Sequence, residues 1–174
     1  DRDWSSDVGS SDLATAGGDL SITTLQAGGN AVLMAGGALS VTQAQSGQNM
    51  LLQGVGPVQA DTLQAGGALE VRSTEGDVAL GQTNSVDDTT VLAAQHLVFD
   101  AIESTAGSAQ LQAGAQLTGG SLKTAQNAQA TAGGDLSITT LQAGGNAALV
   151  AGGDVSVTTL TVAGHTDASA GGDM

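Results

Sequence analysis

Cysteine and tyrosine are absent from the 174 residues, which hold one Trp, one Phe and one Pro. Without thiols the chain can build no disulfide framework, thiolate metal site or thiol nucleophile. Without aromatics it cannot fill a wide core. Basic residues are almost as scarce: three Lys and Arg stand against 17 Asp and Glu, a formal charge of -14. Such a charge repels phosphate backbones and anionic lipid surfaces, which excludes direct nucleic-acid binding. No apolar run long enough to span a bilayer is present, so no membrane insertion is expected. What the chain does have is glycine, 27 residues, and a hydrophobic content of 40% made mostly of Ala, Val and Leu. The apolar residues recur regularly, unlike those of a disordered chain. An interior lined by such small side chains must be narrow, and a narrow interior suits a solenoid.

The recurrence is literal. Residues 15–31 (TAGGDLSITTLQAGGNA) reappear at 131–147, and between 15–42 and 131–158 all but Val32/Ala148, Met34/Val150, Ala38/Asp154 and Leu39/Val155 are identical. Inside this duplication lies a shorter unit, a longer half such as AGGDLSITTLQ followed by a shorter half such as AGGNAVLM. Together the two halves set a repeat of about 19 residues. Counting units forward requires two extra residues, which the motif spacing places within 92–112 as one coil with a bulge or loosened corner. The unit at 73 is displaced by one position. Apolar residues take alternate places, as in Leu20 and Ile22, Leu33 with Ala31, Leu39 and Val41, Leu136 and Ile138, with a third inward site at Leu25, Ala44, Leu63, Leu122, Leu141 and Leu160. Alternation with period 2 means strands, with Ser21, Thr23, Ser40, Thr42, Ser137 and Thr139 facing out. Gly-Gly pairs at the head of many halves interrupt any helix. Short strands separated by tight turns must pair with their equivalents one unit on. The expected fold is all-β, a right-handed parallel β-helix of about eight coils over 14–174, since parallel crossovers are nearly always right-handed.

Residues 1–13, DRDWSSDVGSSDL, lack the Gly-Gly punctuation and carry the single Trp, Trp4. They resemble the translated sequencing-adapter peptide DRDWSSDVCSSDL, with Gly9 where that string has Cys. They are expected to be a non-native or disordered lead-in, and 14–174 a segment of a longer rod.

The motif AGG-x-L-S-V-T-x-L-Q-AGG, at about 19 residues per coil, resembles the central repeats of filamentous haemagglutinin-type exoproteins, the secreted partners of two-partner secretion systems. That resemblance covers about residues 14–174. It implies a stalk of a bacterial adhesin, biofilm matrix protein or contact-dependent inhibition toxin, secreted or held at the outer surface of a Gram-negative cell. It also implies partners: an outer-membrane transporter, engaged through an N-terminal domain outside these residues, and surface receptors reached through distal domains.

Three site chemistries can be weighed on the residues. Asp135, Asp154 and Asp173 fall on successive coils, and stacked carboxylates can hold Ca²⁺; a solvent-facing turn Asp is the simpler reading, so no metal or cofactor is expected. His96 with Asp100 or Asp87 and Asp88 suggests the acid-base chemistry of polysaccharide-degrading β-helices. Acidic sugars, however, need cations, and Arg72 and Lys123 are the only bases in 14–174, so no catalytic residues are assigned. His96 and Phe99 are expected to serve a locally widened coil. Regular Thr rows on a flat face order water in ice-binding solenoids, but here the row fails at Gln59-Ala60-Asp61 and Thr118-Gly119-Gly120. Finally, Asn30 and Asn49, and Asn127 and Asn146, occupy one turn position on adjacent coils, with His165 next. Primary amides so stacked are expected to hydrogen-bond from rung to rung and hold coil register.

Overall fold

The computed structural model describes residues 2–5 and 11–174; Asp1 and residues 6–10, including Gly9 of the expected lead-in, lie outside the described residues. The described residues form a parallel β-solenoid without helices, as the repeat predicts. Each coil contributes one short and one long strand. The short strands are Asp12–Ala16, Ala31–Ala35, Met50–Gly54, Leu69–Ser73, Thr89–Ala93, Ala109–Ala113, Ala128–Ala132, Ala147–Ala151 and Thr166–Ala170. The long strands are Leu20–Ala27, Leu39–Ser46, Val58–Ala65, Val78–Ser85, Leu97–Ser104, Leu117–Thr124, Leu136–Ala143 and Val155–Val162, and Arg2–Ser5 pairs with the first of them. Each kind stacks into its own sheet of nine parallel strands. At the usual strand spacing, eight coils make a rod roughly 40 Å long.

A long strand is longer because it bends. Its inward residues are the first, third, sixth and eighth, as with Leu39, Val41, Ala44 and Ser46. Two consecutive residues, Thr42 and Gln43, therefore face solvent, and the pairing steps from Val41↔Ala60 to Gln43↔Thr62. Strict alternation cannot hold across such a step, so the strand turns a corner within its ladder. The short strands keep strict alternation, with the first, third and fifth residues inward.

The core is a set of stacked columns. Leu33, Leu52, Val71, Val91, Leu111, Ala130 and Leu149 form one, all buried. Away from the rod ends, the Ala that opens an AGG triplet is also a core residue, the last inward position of a strand: Ala27, Ala35, Ala65, Ala132, Ala143 and Ala151 are all buried. Where Ser or Thr takes that place, its hydroxyl reaches a turn carbonyl, as in Ser46 Oγ to Gln48 O (2.9 Å), Ser73 Oγ to Gly56 O (2.8 Å) and Thr124 Oγ1 to Gln126 O (3.1 Å). Burying a hydroxyl is tolerable when it finds such a partner.

The two extra residues sit apart rather than together in 92–112. One enlarges the turn 74–77, between Ser73 and Val78, and the other the turn 105–108, between Ser104 and Ala109; each has four residues where the equivalent turns have three. The displaced unit at 73 is the first of them. Strand Leu97–Ser104 carries no bulge and follows the ordinary long-strand pattern apart from half-burial of Ala101 and Glu103. Insertions fall in turns because an extra residue there meets water, whereas in a strand it would invert the inward and outward sets.

Candidate functional site

The turns are the most uniform surface feature. Backbone bonding continues through them: Leu20 N–H donates to Ala38 O (2.9 Å), Gly36 N–H to Ala16 O (2.8 Å) and Val78 N–H to His96 O (2.9 Å). Where the last position of a turn holds Asn or Asp, its side chain extends this ladder in most coils. Asn30 Oδ1 accepts from Asn49 N–H (3.1 Å), Asn49 Oδ1 from Ala68 N–H (2.9 Å), Asn127 Oδ1 from Asn146 N–H (2.8 Å) and Asn146 Oδ1 from His165 N–H (2.8 Å). The rungs therefore join a side chain to the next coil's backbone, where the sequence suggested amide-to-amide bonds. The reason is geometric: the turn N–H points along the rod axis at the side chain of the neighbouring coil.

Aspartates do the same work. Asp19 Oδ1 accepts from Ala38 N–H (2.8 Å), Asp77 Oδ1 from His96 N–H (2.9 Å), Asp135 Oδ1 from Asp154 N–H (3.0 Å) and Asp154 Oδ1 from Asp173 N–H (2.7 Å). The cap explains the middle turn glycine one coil on. A Cβ on Gly37 would collide with Asp19 Oδ1, and one on Gly153 with Asp135 Oδ1. This relation was present in the sequence as an acceptor followed by Gly one position short of a full repeat later, as in Asp19 and Gly37, Asn49 and Gly67, Asn127 and Gly145; reading Gly-Gly only as a turn marker hides it.

Asp135, Asp154 and Asp173 thus each belong to the cap column, and among the described residues no group of three or more His, Asp or Glu side chains is placed to hold a metal ion. The residues weighed for acid-base chemistry are spread out. His96 closes the turn 94–96, Asp87 and Asp88 lie in the other turn type at 86–88, and Asp100 faces out from Leu97–Ser104. His96 widens nothing: its backbone is capped by Asp77 and its side chain is exposed. Phe99 fits an ordinary coil because Gly119 lies next to it in the ladder.

The outer faces are shallow. At the long-strand corner the fourth position reads Thr23, Thr42, Asp61, Gly81, Asp100, Gly120, Thr139 and Thr158, so the Thr row breaks across four central coils. The seventh position carries amides at Gln26, Gln45, Gln64 and Asn84, then Glu103 and Lys123, whose Oε1 and Nζ are 2.7 Å apart. With both side chains open to water, that pair adds little stability. Arg72 faces out from Leu69–Ser73.

No protein-family model matches the chain, and no curated protein or solved structure matches it.

Proposed function

We propose that the chain is a non-enzymatic stalk segment of a large secreted or surface-tethered bacterial adhesin of the filamentous haemagglutinin type. The observation that supports this reading is the continuous axial ladder: every strand pairs with its equivalent one coil on, and the turns carry the bonding from one strand to the next. A rod joined that way along its length resists bending at any single coil, which is what a spacer between a cell surface and a distal domain requires. In this reading the outer-membrane transporter and any receptor are engaged by other domains of the same protein.

The test is deletion of the segment, in frame, from the gene that encodes it. The expected result is secretion at the normal level, a surface fibre shorter by roughly the 40 Å of eight coils, and weakened contact of the distal domain with its target. Unchanged fibre length and contact would overturn the proposal.

A further inference from the structure

The outward row at the second position of the short strands changes character midway along the rod. It reads Val32, Leu51, Glu70 and Thr90 on successive coils. Beside it runs the last turn position, Asn30, Asn49, Ala68 and Asp88, and between the two rows lies an open groove of about 380 Å³. The wall on the turn side drops at Ala68, where the side chain that caps elsewhere is cut back to a methyl group. Val32 and Leu51 are half-buried and make an apolar floor, while Glu70 and Asp88 are exposed at the groove's other end.

The carboxylates lack cations. Among the described residues the one ion pair is Lys123–Glu103, and Arg72 lines a separate depression with Leu92 and Gln112. Asp88 Oδ1 accepts from Ser108 N–H (2.8 Å), which leaves its second oxygen for an outside donor. The whole chain, at -14, attracts cationic partners and repels anionic ones.

We propose that this groove docks a basic peptide segment of a partner protein, extended along the rod. An apolar side chain covers Val32 and Leu51, and a Lys or Arg two residues further on reaches Glu70 and Asp88. The spacing matches: same-face side chains of an extended peptide are roughly 7 Å apart, which spans from Leu51 to the edge formed by Glu70 and Asp88, one and two coils away at about 4.8 Å each. The site goes beyond the stalk reading, since a spacer requires no docking groove.

The experiment uses the full chain and two labelled peptides, Leu-Val-Lys-Leu-Lys and its counterpart with Glu for Lys, both capped at their ends and followed by fluorescence anisotropy. The Lys peptide is expected to bind and the Glu peptide not to. Glu70→Gln and Leu51→Gln are each expected to weaken binding by about tenfold, with melting curves by circular dichroism confirming that both variants fold. Glu103→Gln, on the other sheet, serves as the control and is expected to leave affinity unchanged. The proposal is overturned if the Lys peptide does not bind, if the Glu peptide binds as well, or if Glu70→Gln and Glu103→Gln weaken binding equally, which would mark general attraction to an acidic surface.

Discussion

Phe99 and Gly119 are ladder partners on adjacent coils, and the Phe99 ring fills the space a Cβ on Gly119 would need. Their column otherwise holds Ile22, Val41, Ala60, Leu80, Ile138 and Val157, so the largest inward side chain is compensated by the absence of the next one.

Gly119→Ala is therefore expected to destabilise by roughly 1–3 kcal/mol through overpacking, although Gly→Ala in a strand otherwise favours folding by about 0.5–1 kcal/mol. Phe99→Leu in the same chain should recover part of the loss. Urea denaturation of both single variants and the double variant gives the coupling, expected at about 0.5–3 kcal/mol. Strict additivity would show that the two side-chain positions do not share one volume.

Ala38 and Pro57 form a second matched pair. Ala38 offers no acceptor to the coil above, and Pro57, at the same turn position there, has no N–H to be capped. Ala38→Asn alone should change stability by no more than about 0.5 kcal/mol. In a Pro57→Ala background the same substitution should add about 0.5–1.5 kcal/mol, the worth of one new hydrogen bond. Equal effects in both backgrounds, measured by chemical denaturation, would refute the capping role of this turn position.

Thr83 Oγ1 is buried without a hydrogen-bond partner, in the column between Leu63 and Ile102. Replacing the hydroxyl with a methyl group removes that penalty at nearly constant volume. Thr83→Val is expected to raise stability by roughly 1–3 kcal/mol, visible as a higher melting temperature; a lower one would mean that the hydroxyl has a partner after all.

The acidic turns give the prediction for metal removal. Each neighbouring pair of carboxylates in the Asp135, Asp154 and Asp173 column repels by roughly 1 kcal/mol in water, and Oδ1 of Asp135 and Asp154 is already a backbone cap. Melting temperatures in EDTA and in millimolar Ca²⁺ should coincide. A large rise with Ca²⁺ would show that the column binds the ion.

Much of the architecture could be read from the residues, because the determinants of a strand are local. Alternation at Leu39 and Val41 marks the inward face, and Gly-Gly marks the turn whether or not its neighbours are known. The inward Ala that opens an AGG triplet is harder to read, since a small residue beside two glycines looks like part of the turn. The same holds for the role of Asp19, Asn49 and Asp135 as caps, and with it the reason that Gly37, Gly67 and Gly153 stand one coil further on. The groove at Ala68 gives no local signal, since its two walls come from turn and strand positions on several coils.

The period of the repeat, the strand character of each half and the narrow aliphatic interior follow from residue types a few positions apart. Which turns absorb the two insertions, how a lone Phe is housed, which N–H each turn Asn or Asp caps, and where Glu70 and Asp88 stand without a cation emerge only when the coils stack. Each of those is a contact across coils, set by where one coil comes to rest on another, and stacking fixes that position only once the whole ladder has formed.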